Sequence, residues 1–131
     1  MITNPIHVRF GEYKKLMQKI NEDINSRNID PGKLHSLYLE LERAQKTRSK
    51  GLSAHIVGMH STVVIYIFET GERFKFTLVY PEEENESEAK MSIYAPLATA
   101  VLGFTEGDEF YWKFDDGEKK ILIEKVIPAK D

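Results

Sequence analysis

The sequence predicts an α+β protein: an N-terminal antiparallel hairpin of two helices, followed by an antiparallel sheet that carries one short helix. The spacing of the apolar residues supports this fold class. Up to about residue 50 they recur every three or four positions, as in an amphipathic helix, and from Ile56 onward at every second position, as in a strand. This change divides the chain into an expected helical hairpin, a short coiled coil over residues 1–52, and a sheet domain over residues 53–131.

The first helix is expected over residues 10–27, where one face is apolar and lysines occupy the other. The apolar residues of this face are Tyr13, Leu16, Met17, Ile20 and Ile24. A helix with this pattern is expected to bury one side only.

The hairpin tip is expected at Asn28, Ile29 and Asp30, where the helical pattern stops. Asp30 is suited to cap the second helix and Pro31 to lie in its first turn. The second helix is expected to end near Gly51. So short a connection makes the helices antiparallel, each about 25–27 Å long at 1.5 Å per residue. The pattern leaves open whether the hairpin packs on the sheet or projects as an arm.

Two strands are expected first in the sheet domain. Residues 62–68 are apolar on both faces, which is typical of a central strand covered on both sides. After a turn at residues 69–72, residues 73–80 alternate, with the aromatic and aliphatic side chains inward. The inward set is Phe74, Phe76, Leu78 and Tyr80. The five glutamates of residues 82–88 then predict a solvated, mobile loop.

A short helix is expected to begin at Pro96, because proline suits the first helical position. Gly103 suits the left-handed residue that follows the last turn. Ala95 stands at the capping position without a polar side chain, so the first N–H groups are left to water or to a partner. The apolar stripe that would face the sheet is Leu97, Ala98, Val101 and Leu102.

The last two strands are expected to form a hairpin. Residues 110–114 alternate, Asp116 and Gly117 predict a tight turn, and residues 119–127 return with Ile121 and Ile123 on one face. The sheet therefore has four or five strands, all expected to be antiparallel.

Composition limits the function classes. The 131 residues are enough for one ordinary domain, and the net charge of −3 argues against general nucleic-acid binding. Residues 9–50 hold ten Lys/Arg and six Asp/Glu, whereas residues 51–131 hold eight and fifteen. The chain has no cysteine, no apolar run long enough for a membrane helix and no signal-peptide pattern. We expect a soluble cytoplasmic protein without membrane contact.

No established catalytic or cofactor motif occurs in the chain, so we expect no catalytic residue, no cofactor and no metal site. His55 and His60 are interpreted as loop or surface histidines. The aromatic residues of the strands are interpreted as core rather than as a pocket lining. They are Tyr66, Phe74, Phe76, Tyr80, Phe110, Trp112 and Phe114.

Basic residues cluster near the expected end of the second helix. A phosphate contact and a favourable interaction with the helix dipole both fit this position, and the dipole is a sufficient reason for them. The cluster is Arg43, Lys46, Arg48 and Lys50.

Several motifs in order carry a family resemblance. Residues 92–98, Ser-Ile-Tyr-Ala-Pro-Leu-Ala, together with residues 100–103 and the pair Gly107 and Asp108, resemble the C-terminal domain of the Gre transcription elongation factors, which are transcript-cleavage factors. Residues 77–81, Thr-Leu-Val-Tyr-Pro, resemble the strand that leads into the acidic loop of that family.

The last hairpin, at residues 116–118, also resembles this family. The Ala-Pro pair, the Leu-Val-Tyr-Pro stretch and Trp112 are closer still to its relatives, the regulators of nucleoside diphosphate kinase. The likeness covers residues 57–127 in detail and the N-terminal hairpin in architecture only.

This resemblance implies a sheet like that of the FK506-binding proteins (FKBP-like) and a hairpin whose relatives enter the secondary channel of bacterial RNA polymerase. It implies docking on the polymerase through Tyr94, Ala95, Pro96 and Leu97. Contact with DNA or RNA would be indirect, through the transcription complex. We expect a monomer, with a dimer as the alternative.

The hairpin tip departs from the cleavage factors, whose tip carries an acidic pair that helps to hold the second catalytic magnesium. Here Asp30 is the single carboxylate, and a helix-capping acid is a poor metal ligand by itself. The arm is also much shorter. We therefore expect a non-enzymatic transcription regulator that binds RNA polymerase near its secondary channel and lacks transcript-cleavage activity.

Two other functions stay open at this point. The implied fold is shared with peptidyl-prolyl isomerases, although fold alone does not determine function. The hairpin could instead pair with a second copy in a four-helix bundle, as a homotypic interaction module.

Overall fold

A helical hairpin precedes a five-stranded sheet in the computed structural model, which describes residues 6–47 and 55–129. The hairpin consists of α1 (Phe10–Asp23) and α2 (Pro31–Arg43). Two short strands, β1 (His7–Arg9) and β2 (Gln45–Thr47), pair in parallel at its open end. The predicted α+β class with an N-terminal hairpin is confirmed.

Both helices are shorter than predicted. At 14 and 13 residues they are each about 20 Å long. After α1, a local turn replaces the helical pattern: the Ser26 N–H donates to the Asp23 carbonyl, and the Asn28 N–H donates to Ser26 Oγ.

The end of α2 was predicted near Gly51, and this prediction is wrong. Ala44 is extended because the Gln45 N–H donates to the carbonyl of Ile6 at 2.9 Å and begins the pairing of β1 with β2. Residues 48–54, including Arg48 and Lys50 of the basic cluster, lie outside the described residues.

The sheet has the strand order β5-β4-β3-β7-β6. Its strands are β3 (Thr62–Ile67), β4 (Glu72–Val79), β5 (Lys90–Ser92), β6 (Glu109–Phe114) and β7 (Gly117–Ile127). The central position predicted for residues 62–68 is confirmed. The prediction of a wholly antiparallel sheet is wrong at one edge, because β5 runs parallel to β4.

One face of the sheet is buried and the other is not. Val63, Ile65 and Ile67 of β3 are buried, whereas the alternate residues Val64 and Tyr66 are only half-buried. The prediction that both faces of the central strand are covered is therefore wrong. The inward alternation of β4 holds for Phe76, Leu78 and the following Tyr80 but fails at Phe74, which is 38% exposed.

The last hairpin turns one residue earlier than predicted. Phe114 pairs with Gly117, so that Asp115 and Asp116 form the two-residue loop. Gly117, at φ +125°, is the first residue of β7. The glycine is needed here because L side chains rarely adopt this backbone conformation.

The helix α3 (Pro96–Val101) packs on the buried face, with Ala98 and Val101 fully buried and Leu97 partly exposed. Gly103 follows at φ +85°, in the left-handed conformation that was predicted. Its carbonyl accepts from the His7 N–H at 3.0 Å, and a Cβ on Gly103 would lie 2.7 Å from Ile6 Cβ. This close approach joins the start of the chain to the sheet domain.

One hydrophobic core runs through both parts of the chain. It includes Leu16, Leu37 and Leu41 of the hairpin together with Val63 and Ile123 of the sheet. Of the two arrangements left open by the sequence, the structure has the hairpin packed on the sheet domain.

The acidic segment forms two short 3-10 helices, Pro81–Glu83 and Glu86–Glu88. All five glutamates are exposed, which agrees with the predicted solvation. Glu83 is nevertheless bonded to His60 and to the Tyr80 N–H. Within the described part of the chain, no helix is long and apolar enough to cross a membrane.

Candidate binding site at the hairpin tip

The two sets of predicted site residues lie side by side. A cleft of about 520 Å³, here called the tip cleft, separates the start of α2 from Pro96 and from the end of β6. Asp30 and Lys33 line one wall, Pro96 and Thr99 a second. A smaller depression of about 240 Å³ continues from it between Asn28, Ile29, Asp30 and the segment Tyr94–Ala95. The packing of the hairpin on the sheet brings together residues that are more than 60 positions apart.

The start of α2 is determined locally. The Gly32 N–H donates to Asp30 Oδ1 at 2.9 Å, and Pro31 occupies the first helical position, as predicted. Ile29 packs against the core, whereas Asn28 and Asp30 are exposed. The single carboxylate at the tip is therefore engaged in capping a helix.

Hydrogen bonds among residues 92–99 fix the backbone of the 94–97 segment. The Tyr94 N–H donates to Ser92 Oγ and the Ala95 N–H to the Ser92 carbonyl, at 3.1 and 2.9 Å. The buried Thr99 hydroxyl donates to the Ile93 carbonyl at 2.7 Å. Pro96 is exposed as a result, and Ala95 forms no side-chain cap, as expected.

Tyr94 differs from its neighbours, because only 6% of the residue is exposed. Its hydroxyl donates to Asp23 Oδ2 at 2.5 Å and lies 3.4 Å from the carbonyl of Lys19. Burial, and then the hydrogen bond to Asp23, raise the pKa of the Tyr94 hydroxyl, which therefore stays protonated as a donor. Tyr94 connects the 94–97 segment to the end of α1, and the accessible part of the segment is formed by Ala95, Pro96 and Leu97.

A second contact fastens the start of α1 to the loop before β3. Glu12 is half-buried and accepts from the Met59 N–H at 3.0 Å. Burial raises the pKa of the Glu12 carboxyl, and the bond from Met59 opposes this shift. Further along α1, Lys15 Nζ lies 5.3 Å from the centre of the Tyr80 ring, and Lys19 Nζ lies 3.3 Å from Glu82 Oε2.

The same cluster holds the hydroxyl of Tyr80 in its protonated form. Burial, and then the charge of Glu12, raise the pKa of Tyr80 to about 12. The hairpin is therefore tied to the sheet domain at both ends of α1.

Two aromatic residues of the tip cleft were not predicted as site residues. Trp112 and Phe114, at the end of β6, line the cleft and are only partly buried. The alternation of β6 is the same for a core strand and for a cleft wall, so it cannot separate the two. The core interpretation is right for Phe76, Tyr80 and Phe110, which are buried.

The other candidate residues lie elsewhere and have separate partners. His55 lies 3.8 Å from Glu106, and His60 Nε2 lies 2.9 Å from Glu83 Oε1. The hydrogen bond from His60 lowers the pKa of the Glu83 carboxyl. Lys46 donates to the Glu42 carbonyl at 2.7 Å, at the end of α2, where a cation interacts favourably with the helix dipole.

The described residues contain no group of three or more His, Asp or Glu side chains that could hold a metal ion. The tip cleft combines an aromatic wall with a charged rim that includes Lys33, Asp115 and Asp116. Asp116 is paired with Lys119 at 2.9 Å. Such a surface is suited to bind part of another protein, with apolar contact inside and polar contact around it.

Comparison with known proteins identifies a family. The family described as "Transcription elongation factor, GreA/GreB, C-term" matches residues 52–128. The regulator of nucleoside diphosphate kinase of Escherichia coli (strain K12) is 34% identical over 82 residues, which cover 63% of this chain and 60% of that protein. Transcription elongation factor GreA of Helicobacter hepaticus is 33% identical over 95 residues, covering 72% and 58% of the two chains.

A solved structure agrees over nearly the whole chain. The prokaryotic transcription elongation factor GreA/GreB from Nitrosomonas europaea matches with a TM-score of 0.69 and 28% identity, covering 95% of this chain and 99% of that one. The matches to the two relatives above span about 60% of their lengths. The agreement in structure extends to the hairpin, whereas the family match begins at residue 52.

Proposed function

This chain belongs to the GreA/GreB C-terminal family of transcription elongation factors, and we propose that it is a non-enzymatic transcription regulator that binds bacterial RNA polymerase near its secondary channel. The observation that carries the proposal is the family match over residues 52–128, which includes the 94–97 segment. The proposed place of action is the cytoplasm, where this polymerase works.

The surface proposed to contact the polymerase is formed by Ala95, Pro96 and Leu97, with Tyr94 as their internal anchor. Pro96 is exposed beside the tip cleft. The bond from the Tyr94 N–H to Ser92 and the bond from the Thr99 hydroxyl to Ile93 hold the segment in one conformation. A surface that is ordered before binding loses little conformational entropy when a partner docks on it. Pre-organisation therefore supports this segment as the contact.

We propose binding at the outer rim of the channel rather than insertion of the hairpin. The hairpin lies against the sheet domain, and its tip residues Asn28, Ile29 and Asp30 face the 94–97 segment across a depression of about 240 Å³. Insertion would require breaking the bonds of Tyr94 to Asp23 and of Glu12 to Met59. Rim binding leaves both in place.

The same geometry supports the absence of transcript cleavage. Helices about 20 Å long cannot carry a tip far from the sheet domain. The Asp30 carboxylate is occupied by the Gly32 N–H, and a magnesium ion needs several oxygen ligands in fixed geometry. The proposed effect on transcription is therefore occupation of the channel entrance.

Capture of RNA polymerase on the immobilised chain tests the proposal. The intact protein is expected to retain polymerase from its native host, and Pro96→Asp to weaken retention at least about tenfold, since it places a charge in the contact. Pro128→Asp is the matched control, because Pro128 is also exposed but lies at the opposite end of β7 from the tip cleft. No retention by the intact protein would end the proposal.

A cleavage assay tests the second part of the proposal, which is the absence of transcript-cleavage activity. A backtracked elongation complex with labelled RNA is expected to show no shortening in the presence of this protein, while a GreA protein shortens it. Cleavage at a rate near that of GreA would refute a non-enzymatic role.

The alternative function is that of an enzyme, a peptidyl-prolyl isomerase with an FKBP-like sheet, and one observation is a reason to test it. Trp112 and Phe114 form an open aromatic wall beside Pro96, and such a pocket can hold a proline ring. We expect no catalysis in an assay with a short proline peptide, because a shared fold does not by itself confer an activity. Measurable catalysis that is lost in Trp112→Ala would favour the enzyme.

The homotypic module is tested by light scattering. The exposed apolar residues of the hairpin, Ile24, Tyr38 and Leu39, are the surface through which two copies would pair. We propose a monomer, and a stable dimer that Leu39→Glu dissociates would overturn this.

A further inference from the structure

The uncovered face of the sheet, here called the outer face, has an unusual composition. Residues that pair directly across neighbouring strands point to the same side. Val63 pairs with Phe76 on the buried side, so Val64, Tyr66 and Leu122 lie on the outer side. These three are only half-buried, whereas Val63, Ile65 and Ile123 on the other side are fully buried.

Aromatic rings on this face are open to solvent. Phe68 is 42% and Tyr111 is 49% exposed. Phe68 contacts the edge of the Tyr66 ring, with the ring centres 5.1 Å apart and an angle of 82° between the planes. Lys120 Nζ lies between the two exposed rings, 4.9 Å from the centre of Phe68 and 5.9 Å from that of Tyr111.

Most cations of the sheet domain lie on the same face. Residues 51–131 contain eight Lys/Arg and fifteen Asp/Glu. The strand register places six of these cations on the outer face, but only three of the acids. The cations are Arg73, Lys75, Lys90, Lys113, Lys120 and Lys125, and the acids are Glu109, Glu118 and Glu124. The face is therefore locally positive, although the chain as a whole is negative.

Three of the six cations are available to a ligand. Arg73 is paired with Glu124 at 2.8 Å, Lys120 with Glu109 at 3.0 Å and Lys90 with Glu88 at 3.1 Å. Among the described residues, no acidic side chain lies within 4.0 Å of the ammonium groups of Lys75, Lys113 or Lys125. Lys75 and Lys125 both pair with Val64, from opposite sides, so their Cα atoms are about 10 Å apart across the sheet.

We propose that the outer face binds a single-stranded nucleic-acid segment. Exposed Phe68 and Tyr111 offer ring faces on which bases stack, and Lys75, Lys113 and Lys125 offer charges to the phosphates. A duplex does not match, because its bases are already stacked on one another. A protein partner matches less well, because protein interfaces are depleted of lysine at their centres. Apart from Lys113, which also borders the tip cleft, the site lies on the opposite side of the sheet from α3 and the tip cleft. It does not depend on binding to polymerase.

Fluorescence anisotropy with the full-length chain tests the proposal. The probes are a labelled short oligouridylate and the matching oligodeoxythymidylate, and both are expected to bind at low salt because neither stacking nor phosphate contact selects the sugar. Phe68→Ala and Tyr111→Ala are each expected to weaken binding about 5- to 150-fold, as for the loss of one stacked base. Tyr38→Ala, which removes an exposed ring from the hairpin, is the matched control and is expected to change nothing.

The salt dependence tests the phosphate contacts separately. Lys75→Ala and Lys125→Ala are each expected to reduce the slope of log K against log salt by about 0.7, the value for one phosphate on a single strand. Lys14→Ala, at an exposed position of α1 in the hairpin, is the control and is expected to leave the slope unchanged. Circular dichroism of each variant checks that the fold is retained.

Several outcomes would overturn the proposal. These are no binding at low salt, equal binding of a duplex of the same length, and equal losses in the control variants. A dimer that Phe68→Asp dissociates would show instead that a second copy covers the face. Pro96→Asp is expected to bind the oligonucleotide normally, so failure of polymerase docking and failure of this proposal are distinguishable.

Discussion

Tyr94 and Asp23 are joined by a 2.5 Å hydrogen bond across 71 positions of the chain, and this bond fastens the segment before α3 to the last turn of α1. Lys19 lies 3.7 Å from the same carboxylate. The bond explains why Tyr94 is buried although Ala95, Pro96 and Leu97 beside it are at least partly exposed: it holds the tyrosine side chain against the end of α1.

Removal of the Tyr94 hydroxyl is expected to loosen the hairpin. Tyr94→Phe should reduce the free energy of unfolding by about 1.5–3 kcal/mol, because it deletes a hydrogen bond to a charged group. Urea unfolding measures this loss, and hydrogen exchange should accelerate at the end of α1. Tyr111→Phe, on an exposed residue, should cost almost nothing. Equal small effects in both variants would show that the bond does not stabilise the fold.

The close approach at Gly103 is expected to tolerate no side chain. Gly103→Ala should destabilise the protein by about 2–5 kcal/mol, because it combines a left-handed alanine with a contact of 2.7 Å to Ile6 Cβ. Gly107→Ala is the matched control: φ is +95° there, but nothing lies within 4 Å. It should show the backbone cost alone, about 1–2 kcal/mol. Equal losses in the two variants would disprove the steric contribution at Gly103.

Stability is expected to depend on pH through Glu12. Its carboxyl has a pKa above the ordinary value of 4.5 in the folded state, so the folded protein favours the protonated form. The stabilisation from this group is complete below about pH 4.5 and is lost as pH rises through the raised pKa.

Glu12→Gln removes this titration while keeping an oxygen that accepts from Met59 N–H. The difference in unfolding free energy, variant minus wild type, should therefore increase between pH 4.5 and neutrality and then level off. Urea unfolding of both proteins at several pH values gives this difference, in which the other carboxylates cancel. A difference that decreases with pH contradicts the assignment.

Asp30 is expected to act as a helix cap rather than as a metal ligand. Asp30→Ala should cost about 1 kcal/mol, whereas Asp30→Asn should stay within a few tenths, since asparagine caps as well as aspartate. Thermal unfolding with and without millimolar magnesium should show no shift in either variant or in the wild type. A magnesium-dependent stabilisation that Asp30→Asn removes would reassign this residue as a ligand.

The local features of the fold could be predicted from the sequence because each depends on neighbouring residues. Asp30 and Pro31 start α2, Pro96 starts α3, and Gly103 takes the left-handed conformation after it. The alternation of β3 and β4 likewise identified the central strand. The end of α2 was missed because it depends on Ile6, a residue 39 positions before the Gln45 that it contacts.

The candidate site was predicted in parts and assembled only by the fold. The 94–97 segment and the tip residues each had a local pattern, but their juxtaposition depends on the bond between Tyr94 and Asp23. Trp112 could not be assigned to the cleft, because alternation places a residue on a face without saying what lies opposite. The outer face also emerges only from the register, which aligns Lys75, Val64 and Lys125 across three strands.

By itself, the sequence determined where the three helices and the central strand begin, and the family to which the motifs belong, because propensities, caps and turns act over a few residues. The tertiary structure alone decided that the hairpin packs on the sheet domain and which face of the sheet is the less buried one. Those outcomes depend on packing and hydrogen bonds between residues far apart in the chain, and such contacts leave no periodic pattern to read.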